Sequence, residues 1–97
     1  MTYLITEYSK KQAKKLNVKI KPSKKKNKKI DVIQEDGKII SIGDNRYFDF
    51  PTYMKLEKAG KLKKGTAEER RRLYRIRHNR FKDNKGTAGY YAYRLLW

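Results

Sequence analysis

Between Lys10 and Lys29 the chain carries eleven lysines in twenty residues and no acidic residue. Charge this dense resists burial, because a desolvated ammonium needs a partner and the segment supplies none. The core must therefore come from elsewhere, from eight Tyr, three Phe, one Trp and the β-branched residues. A disordered chain could share the charge but would lack these aromatics. At 97 residues the sequence reads as one small basic domain, 1–97, with a lysine-rich arm or loop at about 10–29. The formal net charge of +17 exceeds what solubility needs and favours a polyanion, first of all nucleic acid. A second basic block, Lys61 to Lys82, holds ten Lys and Arg and is rich in Arg.

Local patterns divide the chain. Thr2–Tyr8 is β-branched and aromatic and reads as a short edge strand. Ser9 suits the N-cap of a helix over Lys10–Leu16, and Asn17 the position after it. Val18 and Ile20 alternate with lysines as a short strand stopped by Pro22. Ser23–Lys29 is a lysine loop. Strands over Lys29–Gln34 and Lys38–Ile42 flank Asp36-Gly37, a hairpin signal expected to form a type I′ turn. Gly43-Asp44-Asn45 ends the hairpin. Asp49 or Phe50 then caps a helix with Pro51 in its first turn, closed by Gly60. Thr66 and Glu69 read as a capping box opening the longest helix, Ala67 to about Arg80. Thr87 caps a last helix, Ala88–Leu96. The expected fold class is α+β: a short N-terminal helix and a β-hairpin, then three helices on one hairpin face. Ile30, Val32, Ile40 and Ile42 should point inward and meet Leu73, Ile76, Tyr90, Leu96 and Trp97.

At 100° per residue the long helix separates Leu73, Tyr74, Ile76 and Phe81 from Arg71, Arg72, Arg75 and His78. Such a stripe can be merely solvated. The absence of acids between Glu69 and Asp83 favours a phosphate-contacting face, since a solvated face usually mixes signs. Arg70 and Arg77 fall inside the apolar arc, so a structural role is expected of them. Tyr90, Tyr91, Tyr93, Leu95, Leu96 and Trp97 surround the last helix. Three readings stay open for it: a plug in the core, a contact with another chain, or tyrosines that stack on bases.

Little points to catalysis. There is no Cys and only one His, His78, so neither a disulfide nor a cysteine-bearing metal site is expected. Asp36-Gly37-Lys38 matches half of a nuclease motif, but turn chemistry accounts for it. No Gly-rich phosphate loop occurs. No apolar run reaches membrane-spanning length, and no secretory leader is evident. The expectation is a non-enzymatic, soluble protein without cofactor or metal, with no membrane and no small-molecule substrate.

One set of motifs extends along most of the chain. It comprises Ser41-Ile42-Gly43, Tyr47, Asp49, Pro51-Thr52-Tyr53, the run Glu69-Arg70-Arg71-Arg72-Leu73-Tyr74-Arg75-Ile76-Arg77-His78, Gly86-Thr87-Ala88-Gly89-Tyr90-Tyr91-Ala92 and Leu95-Leu96-Trp97. Ala13-Lys14-Lys15-Leu16, Val18 through Ser23 and Lys29-Ile30-Asp31-Val32 extend it towards the N-terminus. This set resembles a family of small basic proteins encoded by large double-stranded DNA viruses of algae and protists. The resemblance spans about Ser9 to Trp97. It implies a viral source, and with it genome packing or capsid building, but no activity and no catalytic residues.

The reading is a sequence-independent DNA-binding protein, located in the virion or at viral replication sites in host cytoplasm or nucleus. Lys14, Lys15, Lys24, Lys25, Lys26, Lys28, Lys63, Lys64, Arg71, Arg72 and Arg75 are the expected phosphate contacts. The alternative is a minor capsid or internal scaffold protein that meets other virion proteins through the C-terminal aromatic helix. RNA binding is a third option.

Overall fold

The β-branched runs around Asp36-Gly37 do pair. In a computed structural model, which describes residues 3–97 apart from the Phe81 side chain, they are β2 (Ile30–Ile33) and β3 (Ile39–Ile42), and β1 (Lys19–Pro22) joins them. The sheet is antiparallel in the order β1-β2-β3. Its register aligns Ile20, Val32 and Ile40 in one row and Pro22, Ile30 and Ile42 in another. Alternation puts both rows on one face. Ile30, Val32 and Ile42 are fully buried there, and Ile20 and Ile40 pack against them. On the other face Ser41 Oγ donates to Asp31 at 2.6 Å.

The hairpin turn differs from expectation. Gln34 N–H bonds Lys38 O and Gly37 N–H bonds Gln34 O, so the loop has three residues rather than two. Only Gly37 takes a positive φ, +86°, whereas a type I′ turn would need one at Asp36 too. Asp36 instead accepts from Lys38 N–H through its side chain. That local bond stabilises the longer loop, which ends in a left-handed glycine.

Among the described residues four helices complete the α+β fold: α1 (Glu7–Lys15), α2 (Phe50–Lys58), α3 (Thr66–Arg77) and α4 (Ala88–Leu95), with a 3₁₀ turn at Asn79–Phe81. The expected strand at Thr2–Tyr8 is absent from residues 3–8, and Thr2 lies outside the described residues. Thr6, not Ser9, caps α1, its side chain accepting from Ser9 N–H. Asn17 follows α1 with φ +56°, as a residue beyond a helix end should. Nor is 10–29 an arm. Ala13 is buried, and Leu16, Val18 and Ile20 pack on the core while the lysines between them point outward. That apolar spacing is enough to fold much of the segment into α1 and β1, joined by a short turn at 16–18 and followed by a loop over 23–29.

The last turn of α4 is where the helices meet. The final carbonyls of a helix have no partner of their own, and those of Leu95, Leu96 and Trp97 are met here by other elements. Ser9 Oγ of α1 donates to Leu95 O at 2.6 Å, and Phe50 N–H of α2 to Leu96 O at 3.0 Å. Arg71 Nε and an Arg75 guanidinium nitrogen, both of α3, donate to Trp97 O at 2.8 and 3.2 Å. Tyr91, Leu95 and Leu96 are buried in the core beneath. Of the three readings for this helix, the core plug accounts for these residues.

The orientation of α3 reverses the expectation. Leu73 and Ile76 are 38% and 62% exposed, and Arg70 and Arg77 lie outside with them. Ala67 is buried, and Tyr74 stacks on Trp97 at 4.4 Å with rings 6° from parallel. The Arg71 guanidinium lies 4.4 Å from the Phe50 ring and that of Arg75 5.3 Å from Tyr93. A flat guanidinium can stack on a ring while its edge donates to a carbonyl. Four aromatic rings and a bare helix end therefore hold this face better than Leu73 and Ile76 could. The Phe81 side chain lies outside the described residues.

Candidate nucleic-acid interface

Lys24, Lys25, Lys26 and Lys28 sit on the β1–β2 loop, and all are exposed. The loop is built, not slack. Ser23 N–H bonds Lys29 O, Lys28 N–H bonds Lys25 O, and the buried Ser23 accepts from Lys25 N–H through its hydroxyl. Asn27 makes the tight bend with φ +65°. Asn45 N–H then bonds Asn27 O at 3.1 Å, tying this loop to the β3–α2 loop. Among the described residues none of these four lysines is in an ion pair. Asp31 lies close by. Burial works to raise its pKa, but hydrogen bonds from Ser41 and Ser23 and the charges of Lys21 and Lys25 hold it below the usual value.

Lys29, the last lysine of the run, departs from the rest. Its side chain is 5% exposed and bonds Asp49 Oδ2, itself 1% exposed, at 2.9 Å. Tyr3 O–H donates to the same oxygen at 2.7 Å, while Asp49 Oδ1 accepts from Thr52 N–H and so caps α2. Burial, and then the Asp49 charge, raises the Tyr3 phenol. One carboxylate thus joins the N-terminal segment, the lysine loop and α2. The cap was legible from Asp49-Phe50-Pro51; the ion pair with Lys29 was not, because nothing local links residues twenty apart.

The other expected contacts are dispersed. Lys14 and Lys15 are exposed in the last turn of α1, at the opposite end of β1 from the lysine loop. Lys63 and Lys64 are exposed in the α2–α3 connection. Arg72 is exposed and pairs with Glu69. Arg71 and Arg75 are turned inward onto Trp97, and Arg71 also lies 3.9 Å from Glu68. Arg75 Nε is buried without a partner among the described residues. These arginines line a groove of about 530 Å³ with Ile76, Asn79 and Tyr93. The expected cluster of Arg71, Arg72 and Arg75 on one solvent-facing stripe is therefore broken up. Of these three arginines Arg72 alone faces out. Among the described residues no three His, Asp or Glu side chains gather to hold a metal, and no helix is long and apolar enough to cross a membrane.

A family of unknown function, DUF5754, matches the chain over residues 18–52. That stretch contains the whole sheet, the lysine loop, the loop bonded to it and the capped start of α2. It is what this part of the chain is similar to. No curated protein and no solved structure matches the chain.

Proposed function

We propose that this is a non-enzymatic protein that binds DNA without sequence preference, carried in the virion of a large DNA virus. The observation that carries the reading is the lysine loop: Lys24, Lys25, Lys26 and Lys28, exposed and without carboxylate partners among the described residues, on a backbone fixed at both ends. Ammonium groups on flexible stems meet phosphates as point charges and read no base. Lys14, Lys15, Lys63 and Lys64 extend the positive field to other faces, so DNA would be held by charge spread over the molecule. The test is duplex affinity against salt. Six to ten phosphate contacts give a log–log slope of roughly −5 to −9. A flat slope, or binding confined to one sequence, would sink the reading.

One observation favours a minor capsid or scaffold role as a second reading. Leu73 and Ile76 on α3 and Met54 on α2 are exposed, and these two helices pack together. Apolar side chains on adjoining helices suit a protein partner. Tyr91, Leu95 and Leu96 at the C-terminus are buried in the core and offer no such surface. Cross-linking in purified virions separates the two: capsid-shell partners through α3 support the second reading, and DNA adducts through the lysine loop support the first.

A further inference from the structure

We propose that the end of the sheet formed by the 23–28 and 43–48 loops is a surface for single-stranded nucleic acid, on which Tyr47 and Phe48 stack bases while the lysines hold phosphates. The proposal rests on the reading above for the phosphate contacts and adds a preference for unpaired strands.

Tyr47 is 69% exposed and Phe48 52% exposed. Neighbouring aromatic rings left in water are notable in a chain that recruits most other aromatics into packing. Their position is what matters. The Asn45–Asn27 backbone bond sets their loop beside Lys24–Lys28, so π faces and unpaired ammonium groups share one end of the sheet. Sequence alone separates these groups by some twenty residues.

The loop is also preorganised. Asp44 accepts from Arg46 N–H and Nε at 3.0 Å and from a terminal guanidinium nitrogen at 2.8 Å, and Asp44 O accepts from Tyr47 N–H. Those bonds from Arg46 hold the Asp44 carboxyl down at about 2, so the brace persists across ordinary pH. Asp44 and Arg46 cancel each other's charge, and the four exposed lysines outweigh Asp31, the carboxylate beside Lys25. Phe48 rests edge-on against Tyr53, centroids 5.5 Å apart, which supports one side of its ring. Single strands present alternating phosphates and bare base faces, and a basic surface with aromatic platforms meets both without reading sequence. A duplex hides its base faces and can use only the lysines.

The experiment uses the full chain, with fluorescence anisotropy on oligo(dT), oligo(U) and a mixed duplex of equal length at several salt concentrations. Tyr47→Ala should weaken both single strands roughly 5- to 150-fold, the equivalent of ~1–3 kcal/mol for one stacked base. Tyr47→Trp should restore them, and the duplex should change by less than about twofold in either variant. Replacing Lys24, Lys25, Lys26 and Lys28 by Gln should weaken all three probes. Equal loss on duplex and single strands with Tyr47→Ala, or no loss on either, would overturn the stacking surface. The DNA-binding reading would survive that result provided the lysine variant still flattened the salt slope. If wild-type protein bound none of the probes in a salt-dependent way, both would fall.

Discussion

Gly43 shows how one missing side chain lets two elements meet. Its φ is +81°, and a Cβ there would lie 2.8 Å from Leu96 Cδ1 and 3.0 Å from Lys29 Cδ. Gly43→Ala should therefore destabilise by about 2–3 kcal/mol in urea titration, from backbone strain and overpacking together. Lys29 is the second sensitive position. Lys29→Met leaves the buried Asp49 short of its cation, and should cost about 3 kcal/mol or more. Neighbouring Lys28→Met, on the exposed loop, should stay within about 0.5 kcal/mol. His78 supplies the pH dependence. Burial, and then the charges of Arg77 and Arg80, hold its pKa below the ordinary 6.5. The unfolded chain thus binds more protons just below that value. Stability should fall as pH drops through this window and stay level above it. A His78→Gln variant whose thermal midpoint kept the same slope between about pH 7 and 5.5 would show that another group is responsible.

At the scale of elements, local chemistry places the starts of α2 and α4 and misplaces those of α1 and α3. Asp49 and Thr87 cap α2 and α4 through their side chains, as Asp-Phe-Pro and Gly-Thr-Ala suggest. The Thr66–Glu69 box does not form. Gly65 takes φ +93° at the N-cap, Thr66 Oγ1 donates to Lys63 O, and Glu69 turns to Arg72. Glu57 of α2 supplies the cap instead, accepting from Ala67 N–H at 3.0 Å. Glu57→Ala should cost about 1 kcal/mol, as loss of a helix cap does, although Glu57 belongs to another helix. The inverted face of α3 makes a sharper prediction. Arg71→Gln with Arg75→Gln should lose about 2–3 kcal/mol, from charged hydrogen bonds to Trp97 O and contact with Phe50 and Tyr93. Arg70→Gln with Arg77→Gln should be nearly neutral. Heat denaturation of both double variants decides whether the packed face is the one described.

The whole molecule is about 42 × 30 × 24 Å and carries +17. At ~0.01 M salt the Debye length is about 30 Å, so its cations repel one another across the full body; at ~0.15 M it is about 8 Å. Stability should rise with salt over this range while duplex affinity falls, an opposition that few neutral domains would show. Read alone, the sequence determined the α+β class, the hairpin with its inward Ile30, Val32, Ile40 and Ile42, a helix start at Asp49-Phe50, the Thr87 cap, and the overall positive field. These depend on neighbours a few residues away, on side-chain alternation or on simple summation of charge. Only tertiary structure decided which side of α3 is inside, that Lys29 leaves the solvated run, that β1 joins the hairpin, and that Tyr47 stands beside Lys24–Lys28. Each of those is settled by a partner far along the chain: the carbonyl of Trp97, the carboxylate of Asp49, the edge of β2, the backbone of Asn27. Hydrophobic periodicity treats every arginine as solvent-seeking. It cannot register that a guanidinium facing aromatic rings and an unfilled helix end is better satisfied inside than a leucine would be.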